Sequence, residues 1–244
     1  MHAGSRETAP RRADDVTDRL ITAIAVGEYL PGARLPAERD LAATLGVGRT
    51  TVREAIGRLV DAGLLETQRG RSGGSFVVEQ WRGSTPAAVH RVLDTRWEEL
   101  RDRGEAVAAL HGVLCRAAAL TCTEQDAVVL SDRLEDYRSA EHGLPKQQAD
   151  SRLHQALVAA GGNRTLARVL AGLEAELSIG APAHLWGEPA GMVAMEARAL
   201  TEHEALIAAV IDGRADDAEA IARTHLGIDL ELLDAARRRA AAAS

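Results

Sequence analysis

A chain of 244 residues, 46% hydrophobic and with a net charge of −7, is long enough for two domains with ordinary cores, and its bulk charge argues against nonspecific polyanion binding. Aromatic residues make up only 2%, so the core must come from Leu, Val, Ile and Ala, a mix that favours helix over sheet. No run of about 18 apolar residues occurs and the N-terminus has no signal-peptide pattern, so a soluble, cytoplasmic protein without a membrane partner is expected. The charge is unevenly spread. Residues 1–80 hold eleven Arg and eleven acidic residues, whereas 81–244 hold eighteen Lys plus Arg against twenty-five Asp plus Glu. A specific DNA reader would therefore need a local basic face. Apart from Lys146, every basic residue is Arg, which suits bidentate contacts to phosphate and guanine. Cys115 and Cys122 lack any C-x2-C partner pair and read as reduced packing residues.

Residues 1–12 show no apolar periodicity and are expected to form a tail. From Asp14 to Glu28, the positions Val16, Leu20 and Ile24 give a helical stripe, ended by Pro31-Gly32. A short extended piece at 33–35 leads to Pro36. A helix is predicted from about Ala37 through Leu41, Ala42 and Leu45, and Gly46-Val47-Gly48 turns the chain. The next helix, Arg49 to Ala62, would bury Val52, Ile56, Leu59 and Val60 and stop at Gly63. Leu64–Thr67 and Ser75–Glu79 read as two strands joined by an Arg/Gly-rich tip. Helix, turn, helix and β-wing over 13–79 make a winged helix-turn-helix, whose second helix enters the major groove of double-stranded DNA.

With Val52, Ile56 and Leu59 facing inward, Arg49, Thr50 and Arg53 fall on the outer face near the helix N-terminus, where a docked helix meets base edges. Arg39 is placed to reach a phosphate, and Arg71 sits on the wing. One exposed Arg would read as merely solvated. Four on one side of this motif point to DNA.

Residues 80–88 are polar and contain Pro86, marking the expected linker. From 89 to 236 only helical stripes follow, among them Val89/Val92/Leu93/Trp97, Val107/Leu110/Leu114, and Val128/Leu130/Leu134/Tyr137 behind a TEQD start resembling a capping box. After a Gly/Pro-rich loop at 180–191, two long helices run from about Val193 to Ile211 and from about Ala215 to Ala236. The fold class is mainly α: the winged head with its small wing, then an all-α bundle of six or seven helices. Residues 237–244 read as a frayed tail.

Four polar residues stand where apolar ones are expected. Asp150 and His154 share a helix face with Leu157, while His203 and His225 lie in the stripes of the last two helices. Each is eleven residues from Arg214, so an antiparallel hairpin sets them at one level. Two readings stand: four separately hydrogen-bonded core residues, or ligands of one divalent cation such as zinc, nickel or manganese.

The stretch LPAERDLAATLGVGRTTVREAIGRLVDAGLL followed by RGRSGGSFV resembles the N-terminal domain of GntR-family bacterial transcription regulators. ADSRLHQALVAAGGN, with EHEALIAAVIDGRADDAEAIARTHL, resembles the FCD ligand-binding domain of the FadR branch. The resemblance implies a homodimeric regulator, a repressor, on a short palindromic operator, with Arg39, Arg49 and Arg53 at DNA-contacting positions. It also implies a metal held by Asp150, His154, His203 and His225, with open coordination sites for a small carboxylate effector. Two departures stand out. Ala37 replaces the usual Ser at the start of a helix, removing a cap. In EAVAALHGVLCRAAAL (105–120), His111 takes the place of a Glu and no Arg lies one turn before it; Arg116 lies on its other side. His111 is then either an effector-binding hydrogen-bonder or a core histidine. His90, His142 and His184 read as surface residues.

Two alternatives share the ligand set: a metal-dependent enzyme on a DNA-binding head, and a sensor for the metal itself. No H-E-x-x-H or nucleophile motif supports an enzyme. Chain length and a single Lys exclude a pyridoxal-phosphate regulator, and the lack of strand signals after Val78 excludes a β-rich sugar sensor.

Overall fold

The computed structural model describes residues 9–70, 73–80, 83–177, 179 and 189–243. Ten helices and one two-stranded sheet fall among them, in two compact units: the chain up to Arg96 together with residues from Ala235 on, and Trp97–Asp234. No helix is long and apolar enough to cross a membrane among these residues.

The first unit opens with α1 (Ala9–Ala25), whose apolar stripe of Val16, Leu20 and Ile24 is buried as its spacing predicts. The helix begins inside the expected tail; residues 1–8 lie outside the described residues. Next come α2 (Glu38–Leu45) and α3 (Arg49–Asp61), separated by Gly46, whose φ of 65° closes α2 in the left-handed region. Ala37 holds the N-cap backbone geometry (φ −61°, ψ 148°) but makes no side-chain cap. Ala37→Ser should therefore raise stability by about 0.5–1 kcal/mol, read as a higher chemical-denaturation midpoint with an unchanged slope.

The wing pairs β1 (Leu65–Gln68) with β2 (Gly74–Val77) antiparallel, with Leu65 opposite Val77 and Gln68 opposite Gly74. On the other edge of β2, the extended piece at 33–35 contributes a bridge between Arg34 and Phe76 and a 2.9 Å bond from Leu35 N–H to the Ser75 carbonyl. The wing tip residue Arg71 lies outside the described residues.

The expected linker at 80–88 runs into a helix, α4 (Thr85–Thr95), which packs on α1 within the first unit. Pro86 suits its first turn, and Val89, Val92 and Leu93 are its buried stripe. The Thr85 hydroxyl donates to the Ala62 carbonyl at 2.7 Å. Gly63, at φ 71°, turns the chain directly beneath that hydroxyl, where a Cβ would approach it to 2.9 Å. The sequence pattern places Val89, Val92, Leu93 and Trp97 together in the C-terminal bundle; the first three are instead buried on α4 in the first unit, and Trp97 opens the first helix of the second.

The second unit holds α5 (Trp97–Thr121), α6 (Glu124–Ser139), α7 (Leu144–Ala160), α8 (Arg164–Leu177), α9 (Pro189–Ile211) and most of α10 (Ala215–Ala242). These six helices match the lower of the two expected numbers. The capping box is present: Asp126 N–H donates to Thr123 Oγ1 at 3.1 Å, and Thr123 N–H donates back to the Asp126 carboxylate at 3.0 Å. Cys115, Leu130, Leu153, Leu157, Leu206 and Val210 form one shared core. Burial pushes the Cys115 thiol up to about 12, in keeping with an inert packing residue. The C-terminal tail expected at 237–244 is instead helical to Ala242, because Ala236 and Ala240 are buried one turn apart and Arg237 pairs with Asp94 at 3.0 Å.

Candidate metal centre and nucleic-acid interface

Helix α7 carries Asp150 and His154 one turn apart, on the inward face that also holds Leu153 and Leu157. The turn at Gly213, φ 72°, folds α9 and α10 back on each other and brings the His203 and His225 rings to 4.4 Å between centroids. All four side chains are buried, and their ligand atoms lie within 4.8 Å of one another. His154 Nε2 stands 3.1 Å from His203 Nε2 and 3.3 Å from His225 Nε2. Asp150 Oδ1 is 3.3 Å from His203 Nε2 and 3.9 Å from His154 Nε2.

These separations suit one central ion. Donors at ~2.0–2.1 Å from a tetrahedral cation stand ~3.3 Å apart. A ring proton on His154 Nε2 could serve only one of its two neighbouring nitrogens, whereas a cation would serve all the converging lone pairs together. The donor set, three imidazoles and one carboxylate, fits a divalent ion such as zinc, nickel or manganese.

A flanking residue gives His225 its orientation. Its Nδ1 donates to Glu202 Oε2 at 2.8 Å, which leaves the Nε2 lone pair pointing inward. The His225 hydrogen bond holds the Glu202 carboxyl below the usual carboxylate range, with Arg198, 2.9 Å away, adding to the effect. The sequence reading missed Glu202. The signal was available: Glu202 precedes His203, so the hairpin register that pairs His203 with His225 brings it alongside too. Tyr137, also missed, sets its ring edge-on to His203 at 4.7 Å, and its hydroxyl donates to the Glu196 carbonyl at 3.2 Å.

Beside His154 a cavity of about 240 Å³ opens among α5, α7 and α8. His111 and Glu174 line it, with Gln155, Val158 and Leu170. His111 Nε2 lies 2.7 Å from Glu174 Oε1, and its ring meets that of His154 at 5.5 Å. His111 is buried like a core residue and also lines the cavity. Arg116 instead forms surface ion pairs with Asp216 and Glu219. His142 is exposed and pairs with Glu196, His90 is half-buried, and His184 lies outside the described residues.

In the first unit, Arg39, Arg49, Thr50 and Arg53 are all exposed. Val52, Ile56 and Leu59 bury the opposite face of α3. Arg53 donates to both Glu38 oxygens, at 3.1 and 2.7 Å, and this bond lowers the Glu38 pKa. Arg39 pairs with Asp40 at 3.0 Å. Arg49 occupies the first turn of α3, where backbone N–H groups and the helix dipole also favour an anion.

Residues 12–77 match the family of bacterial regulatory proteins, gntR family, and residues 102–227 match the FCD domain. The chain is 33% identical over 216 residues to the provisionally named HTH-type transcriptional regulator RmpR of Mycobacterium gastri, covering 88% of this chain and 77% of that one. It is 31% identical over 224 residues to the provisionally named L-lactate dehydrogenase operon regulatory protein of Escherichia coli (strain K12), covering 89% and 84% respectively. Among solved structures, E. coli McbR/YncC aligns with a TM-score of 0.46 at 21% identity, over 93% of this chain and 97% of that one.

Proposed function

The chain belongs to the GntR family of bacterial regulatory proteins, as a FadR-like member with an FCD domain, and from that premise we propose that it is a cytoplasmic, homodimeric repressor of a palindromic operator, controlled by a small carboxylate at a metal-bearing cavity. Proteins of this family bind DNA and regulate transcription, and the chain is a regulator rather than an enzyme.

In this reading Arg49, Thr50 and Arg53 meet base edges, while Arg39 and the wing residue Arg71 hold phosphates. Glu38 pairs with the Arg53 guanidinium at 2.7 Å. The observation that carries the sensory half is the burial of Asp150, His154, His203 and His225 within reach of one ion. A divalent cation there supplies a Lewis-acidic position for a carboxylate oxygen. The protein's part is to aim the ligands: α7 sets two of them one turn apart, and Glu202 holds His225 in a single tautomer. Glu202→Gln should weaken metal binding about 10–100-fold, read by chelator competition, with melting of the stripped chain little changed.

Control requires only that the effector favour one dimer arrangement over another.

The test is operator affinity by fluorescence anisotropy on the metal-loaded chain, titrated with small carboxylates. At least one is expected to change the operator Kd about tenfold or more, and chelation should remove that response while leaving DNA binding in place. A response to metal with no carboxylate present would make the chain a metal sensor instead. Consumption of the carboxylate would make it an enzyme.

A further inference from the structure

The cavity beside His154 has a chemistry of its own. Among the described residues its lining includes no Arg and no Lys; its one formal charge is the carboxylate of Glu174, 16% exposed, on α8. His111, 2% exposed, points Nε2 at Glu174 Oε1, and its Nδ1 has no hydrogen-bond partner among the described residues. With Nε2–H donating to the carboxylate, His111 holds Glu174 in place. The end of the cavity formed by this pair thus offers the Glu174 carboxylate as its acceptor, against an apolar wall of Val158, Leu170 and Ala171.

We propose that Glu174, held by His111, is the residue that sets effector specificity: it takes a hydroxyl donor on a monocarboxylate and rejects a second carboxylate. The assignment rests on the reading that one effector carboxylate binds at the metal. With that end anchored beside His154, the far end of a small acid lies against the pair. A hydroxyl there donates to Glu174. A second carboxylate meets a like charge with no cation to offset it, and in a partly buried site that repulsion is poorly screened. Glu174 and His111 are 63 residues apart in sequence, and only the packing of α5 against α8 makes them a unit.

The test uses the metal-loaded full chain and calorimetric titration with matched pairs of ω-hydroxy monocarboxylates and dicarboxylates of three to six carbons. The wild-type chain should bind the hydroxy acid of the best-fitting pair roughly tenfold or more tighter than its dicarboxylate. Glu174→Gln should bring the two within a few-fold of each other, and Glu174→Lys should invert the order. In Glu174→Gln, whose amide oxygen still accepts from His111, metal content, melting and effector-free operator affinity should stay as in the wild type, which separates a specificity role from a structural one. If Glu174→Lys does not fold, the uncharged Gln variant still decides the matter. Binding with the same ratio in wild type and Glu174→Gln would overturn the assignment while leaving the carboxylate effector in place. No binding by any acid on the panel would overturn the carboxylate-at-metal reading, and the role of Glu174 with it.

Discussion

His154→Ala is expected to lower divalent-metal affinity several hundredfold and to abolish the effector response, while operator binding without effector survives. His154 Nε2 lies within 3.1–3.9 Å of the donor atoms of Asp150, His203 and His225, so it is the hub of the quartet. Four-ligand protein sites bind zinc with ~10–16 kcal/mol, and an even share for one ligand is about 2.5–4 kcal/mol, or a factor of roughly a hundred to a thousand. His154 also lines the cavity, so its loss removes both an ion ligand and part of the effector's wall. The head keeps its own core of α1, α3 and α4, which the substitution does not touch. Elemental analysis and anisotropy on the same preparation check both halves. A variant still carrying one metal per chain, with its effector response intact, would show that the ligand set is wrongly assigned.

Arg49→Ala is expected to cost specific operator affinity about 10–100-fold, since a bidentate Arg–guanine contact discriminates by ~1–3 kcal/mol. Arg49 is exposed in the first turn of α3, and Val52, Ile56 and Leu59 bury the other side of that helix, so the loss should come without unfolding. Arg39→Ala should behave differently: as a phosphate contact it should weaken binding to all sequences alike and reduce the salt slope by ~1. Selection from a randomised operator library separates the two. Unchanged sequence preference in Arg49→Ala would remove this residue from the groove.

Much of the head could be read directly from the residues. The 3.6-residue stripe of α1, the glycine at the end of α2 and the inward set on α3 are local signals, and each recurs in the structure within a residue or two. The convergence of Asp150, His154, His203 and His225 was also legible, for a geometric reason: Asp150 and His154 are spaced one turn apart, and the equal distances of His203 and His225 from Arg214, in the turn after α9, carry hairpin register. What periodicity does not carry is the identity of the partner. The Val89/Val92/Leu93 stripe announces a buried face but not which core takes it, so α4 was assigned to the bundle although it packs on α1. RRRAAAAS looks like a frayed end by its charge, yet the Ala236 and Ala240 face is buried. The His111–Glu174 pair depends on how α5 meets α8, which no local pattern records. The same is true of Tyr137 against His203.

X-ray absorption on the purified, metal-loaded chain bears most directly on the proposed cage. One divalent ion per chain is expected, with a first shell of nitrogen and oxygen at ~2.0–2.2 Å and scattering from three imidazoles. Loss of one imidazole in each of His154→Ala, His203→Ala and His225→Ala should accompany it. A shell containing sulfur, or fewer than three imidazoles in the wild-type chain, would contradict a cation held by Asp150, His154, His203 and His225.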